Sequence, residues 1–126
     1  RDRAIPVKKT TMLLPVFENE VLMYQRPPSG IWGGLWSFIE LEDQSNQQQI
    51  LDSLGISEFE LTDLEIFRHT FSHFHLDIQP RLLQLKNKPN GHVRENGQNW
   101  INYLSVPNIG LSAPATKLLN LLAKNI

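Results

Sequence analysis

The chain has 126 residues, of which 40% are hydrophobic, and its formal net charge is −1. This length suits one compact domain, and the sequence contains no long apolar run that could cross a membrane. It also contains no cysteine, which excludes a disulfide framework, a thiol nucleophile and a zinc–thiolate site. We therefore expect a single intracellular domain with one hydrophobic core.

The charges are distributed unevenly along the chain. Residues 1–9 carry four basic residues and one acidic residue, whereas residues 40–65 carry eight acidic residues and no Lys or Arg. Residues 66–94 carry five basic residues and one acidic residue. A polyanion would be attracted to the third region and repelled by the second. For any single residue, ordinary surface charge is an equally good explanation.

The first half of the chain predicts a connector followed by strands. Residues 1–9 lack periodicity and are interrupted by Pro6, so we expect a basic connector there and a folded domain over 10–126. Strands are predicted over 10–17 and 21–25, which form a hairpin, and over 35–41 after a loop rich in proline and glycine.

A helix is predicted next. Ser45 is a suitable N-cap, and Ile50, Leu51 and Leu54 recur after it at helical spacing. Gly55 is expected to end this helix.

The second half predicts further strands and a closing helix. Strands are expected over 64–71 and 74–85, around a break at 72–73, and over 99–104 after a turn at 89–91. Ser112 is expected to cap a final helix with Pro114 in its first turn. The apolar face of that helix is predicted to contain Leu118, Leu119, Leu121 and Leu122. Mixed strands with two helices predict an α/β (α+β) sandwich.

Residues 33–56 resemble the Nudix signature, in which a glycine, five residues, a glutamate and seven residues precede Arg-Glu-apolar-x-Glu-Glu-x-Gly-apolar. Gly34 and Glu40 keep the first interval. The last interval is kept by Ile50, Gly55 and Ile56. A strand, loop and helix with a glycine at each end also occur in many other α/β domains.

The catalytic part of this signature is missing. Gln48 and Gln49 replace the expected Arg-Glu pair, and Asp52 and Ser53 replace the expected Glu-Glu pair. Hard cations such as Mg²⁺ need several anionic oxygens, which one aspartate does not supply. The resemblance implies a Nudix-like fold with a degenerate catalytic box, without catalytic residues or a metal site.

Three of the four histidines lie within residues 69–75. On a continuous strand His69, His73 and His75 would share a face, which suggests a metal site. However, Ser72 and His73 can break the strand, and only Asp77 is near enough in sequence to complete a ligand set. A Ser-His nucleophile is disfavoured because adjacent strand residues point to opposite faces. We favour a tight hairpin with its aromatic side chains packed inward.

Three motifs in the same order resemble the C-terminal domain of the MutY-type adenine DNA glycosylases. They are Arg-Pro-Pro-Ser-Gly-Ile-Trp-Gly-Gly-Leu-Trp at 26–36, His-Thr-Phe-Ser-His-Phe-His-Leu at 69–76, and Gly-Leu-Ser-Ala-Pro at 110–114. The resemblance covers residues 6–123. It also accounts for the eroded signature, because in that family this domain is a Nudix relative that recognises damage without hydrolysing nucleotides.

The resemblance implies a role in base-excision DNA repair. The family removes adenine mispaired with 8-oxo-7,8-dihydroguanine by cleaving the N-glycosidic bond. Its glycosylase chemistry lies in an N-terminal helix-hairpin-helix domain that holds an iron–sulfur cluster with four cysteines. We therefore expect residues 1–9 to connect to a glycosylase domain that acts in cis. No cofactor is expected in this chain, and the expected partner is double-stranded DNA containing 8-oxoguanine opposite adenine, in the cytoplasm or nucleoid if the source is bacterial.

The family's Phe-Ser-His loop matches Phe71, Ser72 and His73, which the resemblance assigns to the oxidised guanine. Oxidation turns N7 from an acceptor into a donor and adds an acceptor oxygen at C8. A serine hydroxyl is both donor and acceptor, so Ser72 can read this altered edge. Phe71 either anchors the loop in the core or packs against DNA, and His73 either binds a phosphate or braces the turn.

Lys8, Lys9, Arg68 and Arg81 are candidate phosphate contacts. The two tryptophans at 32 and 36 are expected to be core residues rather than stacking platforms for bases.

Two other functions remain open. A free-standing Nudix pyrophosphatase is disfavoured by Gln48, Gln49 and Ser53, which stand where a metal site needs charge. A protein-interaction module would use the basic N-terminal residues and the segment 87–98 for docking.

Overall fold

The computed structural model describes residues 5–89 and 97–124. Within these ranges eight strands form one mixed sheet, which lies between two α-helices. The strands are β1 (Val7–Phe17), β2 (Glu20–Gln25), β3 (Trp36–Ser37), β4 (Ile39–Leu41), β5 (Phe59–Asp63), β6 (Phe67–Thr70), β7 (His75–Leu85) and β8 (Gln98–Asn102). The helices are α1 (Gln47–Ser53), which follows a 3₁₀ turn at Gln44–Asn46, and α2 (Ala113–Lys124).

Strand β1 is the centre of the sheet. It pairs in parallel with β7 and in antiparallel fashion with β4 and β2. Its buried residues alternate between the two faces: Met12 and Leu14 belong to the core cluster that includes α2, and Leu13 belongs to the cluster that includes α1. Burial on both faces explains the nearly continuous apolar run of this strand. The predicted α/β (α+β) sandwich with two helices is confirmed.

The sheet accommodates a proline in each of its two long strands. Pro15 follows Leu13, the last residue paired with β4, and precedes Val16, the first residue paired with β2. In β7, Pro80 follows Ile78, where pairing with β6 ends, and precedes the segment paired with β5. Both prolines therefore lie where one neighbouring strand replaces another, so an interrupted ladder tolerates the missing N–H group.

The folded domain begins earlier than the sequence predicts. Strand β1 starts at Val7, so Lys8 and Lys9 belong to the sheet rather than to a connector. Lys8 pairs with Leu76 of β7, and the His75 backbone N–H donates to the Pro6 carbonyl oxygen at 2.8 Å. Pairing with a distant strand supplies this order, which local periodicity does not reveal. Residues 1–4 of the expected connector lie outside the described part of the chain.

The structure also corrects two other strand predictions. In the first, one predicted strand is two strands that pair with different neighbours. The run predicted at 35–41 is divided into β3, which pairs with β2, and β4, which pairs with β1. Phe38 lies between them and is completely buried. The sequence also missed β5, which lies at the edge of the sheet, so that four of its five side chains are exposed and Glu60 and Asp63 are acidic.

The helix ends agree with the sequence except at one cap. Ser45 is not the N-cap of α1; instead its backbone N–H donates to the Asp43 carboxylate at 3.0 Å, which caps the preceding 3₁₀ turn. Gly55 ends α1 as predicted, with a φ of 74°. The Ser112 hydroxyl accepts from the Ala115 N–H at 3.3 Å, which confirms the predicted cap of α2.

Helix α2 buries a narrower face than expected. Leu118, Leu119 and Leu122 are buried, but Leu121 is 37% exposed. No helix in the described ranges is long and apolar enough to span a bilayer. Residues 90–96 of the segment 87–98, including two of the three residues of the turn predicted at 89–91, lie outside the described residues.

Burial of Leu118 provides a test of this packing. Leu118→Ala should lower the free energy of unfolding by about 2–5 kcal/mol, because it leaves a cavity between α2 and the sheet. Leu104→Ala is the matched control, since Leu104 is 49% exposed and its truncation should cost less than about 0.5 kcal/mol. Urea unfolding measures both, and equal losses would contradict the packing described here.

Candidate nucleic-acid interface

Strands β6 and β7 form a hairpin whose tip projects from the sheet. Thr70 and His75 are the last paired residues, and the Phe71 N–H donates to the Phe74 carbonyl oxygen at 2.8 Å. Ser72 and His73 are exposed at the tip. The predicted tight hairpin is confirmed, so the histidines do not lie along one continuous strand.

A cluster of aromatic rings supports the base of this hairpin. The half-buried Phe71 ring lies 5.3 Å from the Trp32 ring, 4.7 Å from the His69 ring and 4.7 Å from the Phe74 ring, measured between centroids. The tilted and edge-on arrangements are those that aromatic pairs favour. Phe71 also packs, partly buried, against the main core, which is the position that the anchoring role requires. Trp32 and Trp36 both pack partly buried against the main core, and Trp32 also stacks on the hairpin.

A closed loop over residues 26–35 carries Trp32. The Arg26 N–H donates to the Leu35 carbonyl oxygen at 2.9 Å, and the Leu35 N–H donates to the Trp32 carbonyl oxygen at 3.0 Å. Trp32 has a φ of 55°, which is rare for a bulky residue. Only glycine fits at position 33, because a Cβ there would lie 2.5 Å from the Pro28 carbonyl oxygen. The loop is therefore compact, and it directs the indole towards the hairpin.

Three of the four predicted phosphate contacts lie at or near this hairpin. The Lys8 ammonium lies 4.5 Å from the centroid of the Phe74 ring. Arg68, whose side chain is 48% exposed, forms a bidentate pair with Asp77 at 2.7 and 3.1 Å. Lys9 is exposed on β1 opposite Asp77. Hydrogen bonding from the Arg68 guanidinium lowers the pKa of Asp77, and the charges of Lys9 and His75 contribute in the same direction.

Arg81 differs from the other three cations. Its guanidinium pairs with Asp63 at 2.6 Å and donates to Gln47 at 2.7 Å and to Gln44. Its side chain is only 14% exposed. These bonds tie β7 to β5 and to the start of α1, so most of the guanidinium donors already have protein acceptors. The structure thus gives Arg81 a structural role that the sequence did not anticipate.

The eroded Nudix segment lines a separate cleft of about 520 Å³ between α1 and β4. On α1 the Gln48 amide donates to the Asp52 carboxylate at 2.8 Å. On β4 the Glu40 carboxylate pairs with Arg26 at 2.7 Å and accepts from the Thr10 hydroxyl at 3.1 Å. Across residues 5–89 and 97–124, no three His, Asp or Glu side chains are arranged to hold a metal ion.

Burial raises the pKa of Tyr24 in this cleft, while the Arg26 charge opposes the rise and the Glu40 charge adds to it. Tyr24 therefore stays a neutral hydroxyl beside the Arg26–Glu40 pair.

The sequence missed the contacts that join Arg26 to Glu40, Arg26 to Trp32, and Trp32 to Phe71. Arg26 and Trp32 stand inside the first motif and Phe71 inside the second, so their importance was visible. Their contacts were not, because the two motifs meet only in the folded chain.

Comparison with known proteins places this fold in a family. The NUDIX domain model matches residues 10–121, and the chain belongs to that family. It is also similar to the adenine DNA glycosylase of Buchnera aphidicola subsp. Acyrthosiphon pisum (strain APS), with 26% identity over 124 residues. That match spans 98% of this chain but 35% of the relative, so the chain corresponds to about a third of its length.

Solved structures share the fold. The C-terminal domain of mouse MUTYH, in a complex with human PCNA, superposes with a TM-score of 0.70 and 22% identity, covering 93% of this chain and 87% of that one. The MutT NUDIX hydrolase from Burkholderia pseudomallei gives a TM-score of 0.68 and 15% identity, covering 90% and 96% of the two chains. Together with the sequence match, these findings confirm the resemblance to the C-terminal, Nudix-like domain of MutY-type glycosylases.

The Arg68–Asp77 pair predicts a pH dependence. Because the folded-state pKa of Asp77 is lowered, the stabilisation is complete above its ordinary value of about 4 and is lost as the pH falls through the folded-state pKa. Thermal unfolding of the wild type and Asp77→Asn should differ at pH 6 and converge towards pH 2. Arg68→Gln removes the same pair and should behave alike. A difference that persists undiminished at pH 2 would contradict this account.

Proposed function

We propose that this chain is the lesion-recognition domain of an adenine DNA glycosylase and reads 8-oxoguanine opposite adenine. The observation that carries the proposal is the hairpin tip, where Ser72 and His73 are exposed above a base of stacked rings. The similarity to an adenine DNA glycosylase over almost the whole chain supports a repair role.

The hydroxyl of Ser72 suits the edge that distinguishes the lesion. Oxidised guanine offers an N7 hydrogen and a C8 oxygen, whereas guanine offers an acceptor at N7 and no oxygen at C8. A hydroxyl can accept from the first and donate to the second. A good contact of this kind should contribute roughly 1–3 kcal/mol of discrimination. Phe71 fixes the position of the hairpin tip relative to the sheet. The position of Ser72 therefore does not depend on DNA contacts alone.

Lys8, Lys9 and Arg68 are the phosphate contacts that this geometry favours. They lie close to the hairpin, whereas Arg81 is bound to protein acceptors at α1. His73 at the tip can donate to a phosphate in the same interface. Strand β5, with Glu60 and Asp63, pairs with residues 81–85 of β7, whereas β6 pairs with residues 75–78 beside the hairpin tip. The proposed DNA surface and these carboxylates are therefore separated along β7.

The chain supplies recognition, and we assign the chemistry to another domain. From Thr10 onward it carries 8 basic and 12 acidic residues, so counterion release can contribute only modestly to DNA affinity. Tight binding then requires a glycosylase domain in cis, which would also hold the iron–sulfur cluster and cleave the N-glycosidic bond. No catalytic residue is assigned within the 126 residues.

The second candidate is a nucleotide pyrophosphatase, which the shared fold with a MutT NUDIX hydrolase favours. The cleft beside α1 could receive a nucleotide. The side chains at its helix argue against hydrolysis, because Gln48, Gln49 and Ser53 cannot supply the charge that bound Mg²⁺ needs.

Substitution of Ser72 tests the lesion-reading proposal. In the glycosylase that carries this domain, Ser72→Ala should slow adenine removal opposite 8-oxoguanine roughly fivefold to tenfold, because one contact is lost. Removal opposite guanine should change much less, since guanine lacks the groups that the hydroxyl reads. Single-turnover cleavage on duplexes that differ only at the oxidised base measures both rates.

Two controls accompany this test. Ser57→Ala changes an exposed serine elsewhere and should leave both rates unchanged. Phe71→Ala removes the anchor and should impair both substrates while destabilising the fold by up to about 3–5 kcal/mol. Equal losses on both duplexes with Ser72→Ala would mean that Ser72 shapes the turn and does not read the lesion.

The loss of hydrolytic chemistry is tested separately. Incubation of the chain with Mg²⁺ or Mn²⁺ and 8-oxo-dGTP should release no pyrophosphate above a buffer control, because α1 provides one carboxylate. Metal-dependent turnover that Asp52→Asn abolishes would establish the pyrophosphatase and overturn the present assignment.

A further inference from the structure

Arg26 makes four interactions that connect Glu40 of the Nudix segment to the loop that carries Trp32. Its Nε donates to the Ile31 carbonyl oxygen at 2.9 Å, and its Nη1 donates to the Tyr24 hydroxyl at 3.0 Å and to the Glu40 carboxylate at 2.7 Å. The guanidinium carbon also lies 5.8 Å from the centroid of the Trp32 ring. A planar guanidinium can make these contacts together, whereas an ammonium group cannot reproduce their geometry.

Glu40 fixes Arg26 in this position. One carboxylate oxygen takes the Arg26 bond and the other accepts from the buried Thr10 hydroxyl on β1. Both members of the ion pair are mostly buried, with 21% and 23% of their side chains exposed. A partly buried, hydrogen-bonded pair is screened less by solvent than a surface pair. Glu40 thus anchors Arg26 to the central strand.

The loop that Arg26 closes holds Trp32 in an uncommon conformation. A left-handed backbone at a bulky residue costs energy and persists only where surrounding contacts maintain it. Here the bond from Arg26 to Ile31 holds the preceding peptide, and the guanidinium and the Phe71 ring contact the indole. Contacts therefore connect Glu40 to Arg26, Arg26 to Trp32, and Trp32 to Phe71. Phe71 is adjacent to Ser72, the residue that we propose reads the lesion.

We propose that Arg26, anchored by Glu40, is a positioning residue that sets the hairpin tip through Trp32. Glu40, which is kept from the Nudix signature, then orders a recognition surface and takes no part in hydrolysis. This inference rests on the proposed function, because it names the hairpin as the reader of the lesion. It adds that lesion discrimination depends on residues that do not touch the DNA base.

The chain contains a matched control for this arrangement. Lys88 pairs with Glu20 and lies 5.2 Å from the centroid of the Trp100 ring, so it too is a cation held by a glutamate over a tryptophan. It belongs to the opposite side of the sheet, where β8 pairs with β2. Glu20→Gln and Glu40→Gln make the same chemical change at the two places, and only Glu40 leads to the hairpin.

The experiment measures amide hydrogen exchange by NMR in the full 126-residue chain. In Glu40→Gln the Phe71 amide should exchange about tenfold faster relative to the core amide of Leu83, because the charged hydrogen bond to Arg26 is lost. Arg26→Lys should give an intermediate rate, since it keeps the ion pair but not the bond to Ile31. Glu20→Gln should leave the ratio unchanged. The Leu83 amide lies in the buried core, so its rate reports the change in global stability, and faster exchange at Phe71 without faster exchange at Leu83 is a local effect. The isosteric Glu40→Gln decides the outcome if Arg26→Lys does not fold.

A second measurement links the hairpin to recognition. In the glycosylase, Glu40→Gln should reduce the preference for adenine opposite 8-oxoguanine over guanine, and Glu20→Gln should not. An unchanged exchange ratio in Glu40→Gln overturns the proposal whatever the domain recognises. Faster exchange of the Phe71 amide together with an unchanged preference for 8-oxoguanine over guanine also overturns it, because Arg26 then does not position a residue that reads the lesion. The Ser72→Ala test decides separately whether the hairpin reads the lesion.

Discussion

The parallel pairing of β1 with β7 is the constraint on which the rest of the structure depends. It runs from Val7 opposite His75 to Val16 opposite Gln84, and its side chains are buried on both faces over most of β1. One face supports α2 and the other supports α1. The same pairing brings the start of β1 beside the start of β7, so Lys8 lies next to the tip of the hairpin that β6 and β7 form. Core packing and the placement of the candidate interface thus have one cause.

Sequence reasoning predicted what depends on local pattern. The closing helix with its Ser112 cap, the end of α1 at Gly55 and the hairpin break at 72–73 all follow from residue type and spacing. It failed where a distant partner decides: the start of β1 before Thr10, the division of the run 35–41 into two strands, and the polar edge strand β5. At the site, the exposure of Ser72 was predictable from its motif, but the ion pair between Arg81 and Asp63 was not. That ion pair joins residues brought together only by the register of β5 on β7.

The Nudix segment and the hairpin belong to one connected set of contacts. Gln48, Gln49 and Ser53 stand where the Nudix signature has charged residues, so Asp52 is the one carboxylate on α1. Glu40 remains and is neutralised by Arg26 rather than by a cation from solvent. The backbone of the fold is thereby kept, while the exposed functional groups lie at the hairpin. Under the proposed function, the contacts of Glu40 and Arg26 beside the cleft support the hairpin that reads DNA.

The most direct test of the central claim is NMR mapping of the chain against two duplexes that differ only in carrying 8-oxoguanine or guanine opposite adenine. NMR detects the weak binding to DNA that a formal net charge of −1 predicts. If the hairpin reads the lesion, the two duplexes should shift the same amides around Lys8, Arg68 and the hairpin, and their shifts should differ at Ser72 and His73. Differences centred on α1 and its cleft, with none at the hairpin, would contradict it.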